Sequence, residues 1–183
     1  MRKPVRRVVT GLDAEGRSRV LVDGPSPHVM EGPTAAITEI WANAESPATY
    51  DFEGDRAIFP MKHDPLPNGT ICRVLEMKPG VEIPADTPAE NLLALARVAF
   101  SNMQSDFEPT LESVKRHPSF HKTDSLDYLV ILSGRLTMLM DDDEVTLEAG
   151  DVVVQQGVLH GWRVEGDEPL RMFAVLIDGQ PAA

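Results

Sequence analysis

The chain has 183 residues, 42% hydrophobic and 25% charged, with a formal net charge of −12. That composition fits one globular domain with a real core, and its acidic surface argues against phosphate-backbone partners. No run approaches the ~18 apolar residues of a membrane span, and the single cysteine, Cys72, allows neither an intrachain disulfide nor a cysteine-based metal cluster.

The basic start MRKPVRRVVTG carries no apolar segment, so no signal peptide and a cytoplasmic protein are expected. VRRVVTG (5–11) and SRVLVDG (18–24) alternate and end in glycine, which predicts two edge-type strands. Residues 25–33 form a Pro/Gly connector, and 34–43 alternate as a strand. Residues 44–69 make a long irregular loop that ends on the turn pair Asn68-Gly69. TICRVLEMKPG (70–80) is a further strand, with Cys72 in its core-facing run. One helix is expected over 88–104. Thr87 would cap it in a Thr-x-x-Glu box with Glu90, and Leu92, Leu95, Ala96, Ala99 and Met103 would form its buried face. Ser105–His117 is a polar connector. Four short strands then crowd together: YLVILSG (128–134), RLTMLM (135–140), EVTLEAG (144–150) and DVVVQQG (151–157). GWRVEG and LRMFAVLID (170–178) supply the last two. Many short strands with regular turns and one helix predict an all-β sandwich or barrel rather than a parallel α/β fold, as a single domain over 1–183.

Histidines and a carboxylate bracket the four crowded strands: His117, His121 and Asp127 before them, His160 after. Strand side chains two, four or six apart share a face, so Asp127, Leu129 and Ile131 would point inward together. An inward carboxylate among Leu, Ile and Val is costly unless paired or bound to a cation.

Two stretches carry a family resemblance. Asp127 stands before Gly134 with six residues between them, His121 lies six positions before Asp127, and Thr123 is two beyond His121. Gly150-Asp151 is followed by Gly157-Val158-Leu159-His160. This pattern, over about 117–177, resembles the two motifs of the cupin superfamily, with Asp127 in the place of a glutamate and Thr123 in the place of a second histidine. The resemblance implies a double-stranded β-helix, or jelly-roll, barrel with the 88–104 helix as an insertion. It also implies one divalent metal ion (Fe, Zn, Mn or Ni) on His121, Asp127 and His160. His117, His121 and His160 are the catalytic candidates, with His117 moving protons at the mouth. Thr123, Gln156 and Trp162 are the candidates for holding a small-molecule substrate. A homodimer paired through the early strands is expected. The function that follows is a small-molecule enzyme: an oxygenase, or a lyase, isomerase, cyclase or decarboxylase. Two alternatives stay open: a metal-free enzyme using histidine and Asp127 as acid and base, and a non-catalytic binding module.

Overall fold

The computed structural model describes residues 4–50, 52, 54–57, 61–80, 83, 84 and 86–182. Residues 1–3 of the basic start, and residues 51, 53 and 58–60 of the expected long loop, lie outside them. In chain order the first strands are β1 (Arg6–Leu12), β2 (Ser18–Pro25), β3 (Val29–Glu31), β4 (Ala35–Asn43) and β5 (Thr70–Met77). Two helices follow, α1 (Ala89–Asn102) and α2 (Leu111–Arg116). The remaining strands are β6 (Ser125–Ser133), β7 (Arg135–Leu139), β8 (Glu144–Glu148), β9 (Val152–Gln156), β10 (Gly161–Glu165) and β11 (Leu170–Asp178).

A six-stranded sheet, β3-β4-β5-β11-β6-β9, faces a three-stranded sheet, β10-β7-β8, and the β1-β2 hairpin forms a sheet of its own. The pairings are antiparallel. Leu129, Ile131, Leu136, Met138, Leu147, Leu170, Met172, Ala174 and Leu176 form the core between the two larger sheets. Because successive strand residues point to opposite faces, β6 sends Ser125, Asp127, Leu129 and Ile131 inward and leaves Tyr128 and Leu132 exposed. This is the expected jelly roll. Gly134, between β6 and β7, has φ +79°, and a Cβ there would lie 2.8 Å from the Pro169 carbonyl oxygen. Only glycine turns the chain at that point without strain.

Four local expectations are corrected. The 25–33 connector contains β3, paired with β4. The 105–117 connector contains α2, capped by Thr110, whose side chain accepts from the Ser113 N–H while Ser113 Oγ accepts from Thr110 N. Thr87 makes no cap: α1 starts after Pro88 with no side-chain cap bond. The buried face of α1 is Ala96 and Phe100, flanked by Leu92, Leu93 and Met103, while Leu95 is 66% exposed. The face is turned because α1 packs on α2 and the barrel mouth, not on a broad sheet. Ala96, Phe100 and Val114 make a small second core between the two helices.

The barrel also buries charge. Glu39 on β4 and Arg73 on β5 are paired across the strands and 1% and 2% exposed. Arg73 Nη2 lies 3.0 Å from Glu39 Oε1, and the guanidinium also donates to the carbonyl oxygens of His63 (3.0 Å) and Lys62 (2.7 Å). Burial pushes the Glu39 carboxyl up to about 7 against the opposing pull of Arg73. Among the described residues no helix is long and apolar enough to cross a membrane.

Candidate functional site

His121 and His160 meet across a two-bond antiparallel bridge. His121 N donates to His160 O at 2.8 Å, and His160 N donates to His121 O at 2.9 Å. Directly opposed residues in such a pair present their side chains on one face, and the two ring centres are 4.2 Å apart. Each ring is tied back by the carbonyl two residues earlier: His121 Nδ1 to Ser119 O at 2.7 Å, and His160 Nδ1 to Val158 O at 2.9 Å. A nitrogen bonded to a carbonyl must carry the proton, so Nε2 is the basic nitrogen in both. Burial pushes His160 down to about 4. Burial, then the neighbouring charges of His160 and His63, hold His121 well below the ordinary imidazole range. Both rings are therefore neutral near pH 7.

Asp127 is also buried, 2% exposed, on the inner face of β6. Its cross-strand partner is Gln155 on β9, whose Nε2 donates to Asp127 Oδ2 at 2.6 Å. Asp127 Oδ1 and Gln155 Oε1 are buried without a hydrogen-bond partner. Burial raises the Asp127 carboxyl, and the Gln155 amide offsets this only in part. Ser125, on the same face, spends its proton on Thr123 Oγ1 at 2.9 Å.

The rings around His121 make a roof. Phe100 of α1 stands 5.3 Å away between centres, Phe107 6.4 Å and His63 5.0 Å. Trp162 walls the other side, 5.0 Å from His160 and edge-on. His63 is the residue that the sequence analysis passed over, and it comes from the 44–69 loop. Its Nδ1 lies 3.4 Å from Ser105 Oγ and 3.6 Å from Asp64 Oδ2. Burial alone would push Asp64 up, yet His63 and the Asp106 N–H, which donates to it at 3.0 Å, hold it down.

Of the expected residues, His121, His160 and Trp162 come together, with Thr123 and Asp127 buried on the adjoining strand and its lead-in. His117 shares no ring contact with the cluster. Its Nδ1 accepts from Ser119 N and lies 2.7 Å from Ser119 Oγ. Gln156 is exposed on the outer face of β9, and the inward glutamine is Gln155. Cys72 is half-buried, and burial pushes its thiol up to about 11, well away from a reactive thiolate. A cavity of about 440 Å³ lies elsewhere, between the β1-β2 hairpin and β4, with Val8, Leu21, Trp41 and Tyr50 in its walls.

Residues 106–176 match the family model of the cupin domain. Over those residues the chain is a cupin domain. It is similar to two proteins named cupin-domain-containing oxidoreductases. The one from Aspergillus ruber is 28% identical over 95% of this chain and 72% of its own length. The one from Hypocrea virens is 25% identical over 99% of this chain and 79% of its own. The solved cupin domain of Schizosaccharomyces pombe Cnp3 aligns with 94% of this chain and 87% of that chain at 12% identity, with a TM-score of 0.45.

Cupin resemblance implies a metal, and the donors here fit one in kind. Two neutral imidazoles keep Nε2 open, and Asp127 on β6 has a buried carboxylate oxygen without a hydrogen-bond partner. Among the described residues no group of three or more histidine, cysteine or carboxylate side chains is placed to hold a metal ion.

Proposed function

We propose that this cupin is an oxidoreductase acting on a small organic molecule, with one divalent metal held by His121, His160 and Asp127. The observation that carries the proposal is the pair of neutral imidazoles, each locked by its own chain carbonyl so that Nε2 is free. The naming of the two relatives as oxidoreductases supports the reaction class. A bound metal would supply Lewis-acid or redox chemistry. The chain does the rest. Phe100 and Phe107 shut water out over His121. Trp162 gives the substrate an aromatic wall beside His160. Gln155 fixes one Asp127 oxygen and leaves the other to act.

The test is elemental analysis of protein purified without chelators or a histidine tag, followed by turnover of a metabolite panel in air and without oxygen. About one metal per chain is expected in the wild type and much less in His160→Ala, with oxygen uptake that is lost in Asp127→Ala. Oxygen-independent turnover would move the reading to a lyase or isomerase. A wild type that stays metal-free after reconstitution would leave the acid–base reading, with Asp127 as the proton carrier.

The reading includes a homodimer paired through the β1-β2 hairpin. Val8 and Val20 are about half exposed there, and the two-stranded sheet has free edges. Light scattering at micromolar concentration should give twice the 20.1 kDa chain mass, and a particle of one chain mass contradicts the pairing.

A further inference from the structure

We propose that the outer face of β5, β11, β6 and β9 receives the β1-β2 hairpin of a second copy of this chain. The inference rests on the homodimer reading above and names the surface that the hairpin meets. The cross-strand register lays one apolar row over the outside of the six-stranded sheet: Trp41, Cys72, Val175, Tyr128 and Val154 stand opposite one another from β4 to β9. Val130 and Val152 make a second pair beside it. Their neighbours Ile71, Ala174, Leu129 and Gln155 are buried inward, so alternation turns this row outward. The β4 end of the face is covered within the chain. Ile40 and Trp41 line the cavity under the hairpin, and Arg7 Nη1 of β1 donates to Ile40 O at 3.0 Å. The far end is open to solvent: Tyr128 is 43% exposed, Val154 55% and Val152 64%. Single exposed hydrophobic residues are ordinary on a surface, whereas a contiguous group on one sheet face marks a docking site.

Three observations select a second copy as the occupant. The hairpin has an apolar stripe to match. Val8, Leu12 and Val20 are exposed, and by alternation they lie on the face opposite Arg7, which is buried toward β4. Charge is complementary as well. Residues 1–25 hold six basic and three acidic side chains, and the rest of the chain holds eleven basic and twenty-six acidic. Exposed Asp124, Asp151 and Asp178 stand at the ends of β6, β9 and β11. The same acidity repels an anionic lipid surface. The third observation is strand order. A two-fold axis running along the strands reverses β3-β4-β5-β11-β6-β9 in the facing copy, so β4 of one chain comes over β9 of the other. Each hairpin is then held between its own β4 and the open end of the other chain's sheet. Area requires both patches. Four strands about 4.8 Å apart, over five residues of about 3.3 Å, present roughly 300 Å². A stable pair takes roughly 800 Å² from each chain, so the sheet strip does not suffice without the hairpin.

Sedimentation of the full chain at micromolar concentration and a cross-linking assay test the assignment. The wild type is expected at twice the 20.1 kDa chain mass. Val154→Lys puts a charge into the contact at a site already more than half exposed, so it should keep the fold by circular dichroism and fall to one chain mass. Val145→Lys, at an exposed valine of β8 in the other sheet, should leave the pair intact. In a Cys72→Ser background, Val20→Cys combined with Val154→Cys should give a covalent dimer under oxidising conditions, and neither cysteine alone should. A wild-type pair that survives Val154→Lys, or whose double-cysteine variant forms no cross-link, leaves the homodimer reading in place and overturns the surface assignment. A wild type of one chain mass ends both.

Discussion

Replacing Arg73 by methionine is expected to destabilise the fold by about 3–5 kcal/mol, the usual cost of breaking a buried pair from one side. Glu39 would be left 1% exposed with no counter-charge, and the carbonyls of Lys62 and His63 would lose their donors. The loss should depend on pH in a defined direction. A carboxyl without its cation survives in the interior only by taking a proton, and holding that proton at pH 7 costs more than at pH 5. Wild-type Glu39 itself takes up a proton below about pH 7, so the deficit should be widest above pH 7 and shrink only slightly between pH 7 and pH 5. Urea unfolding at pH 5 and pH 7 measures it, with Glu39→Leu/Arg73→Met as the control that removes both charges. Recovery of much of the stability in the double variant is expected. A single variant within about 1 kcal/mol of wild type, or a double variant no better than the single, would refute the account.

The second large effect is at His160. Its folded value of about 4 lies below the ordinary imidazole value of 6.5. The unfolded chain therefore binds the proton more readily than the folded chain does. The stability this histidine contributes is complete above pH 6.5 and is lost as pH falls toward 4, by roughly 3 kcal/mol over that window. His121 shifts in the same direction. Glu39 acts oppositely, because its raised value makes the fold gain stability as pH falls from 7 toward 4.5. The informative quantity is thus the difference between wild type and His160→Gln, both with metal chelated. That difference should be flat above pH 6.5 and then close by roughly 3 kcal/mol down to pH 4. Parallel unfolding curves across the window would sink it.

The strands from β6 to β11 were legible because alternation and glycine turns are local signals. Ser125, Asp127, Leu129 and Ile131 point inward for the reason that their parity gives. The pairing of His121 with His160 was legible through motif spacing. Gln155 was confused with Gln156 because strand faces alternate at every residue, and only the register against β6, with Gln155 opposite Asp127, decides between them. The turned face of α1 could not be read either. Leu95 and Ala96 both fit a helical stripe, and the position of α2, a six-residue helix with a Thr–Ser cap, selects between them. His63 was least accessible. It sits in a proline-rich loop with no periodicity, and what brings it to His121 is a buried arginine on β5 and a helix end at Met103. Its one sequence signal was the His-Asp pair inside a long loop.

The two helices have a consequence for timing. Ala96, Phe100 and Val114 form a core separate from that of the barrel, and Phe100 and Phe107 are the part of that unit that rests on His121. A unit with its own core can lift as one piece while the sheets stay closed. The weak basicity of His121 and His160 belongs to the dry, covered state alone. Were the helices to lift, water would reach the His121 ring, and it would regain ordinary imidazole behaviour. Proton capture at His121 would then run no faster than the roof opens, and its rate would serve as a clock for that motion.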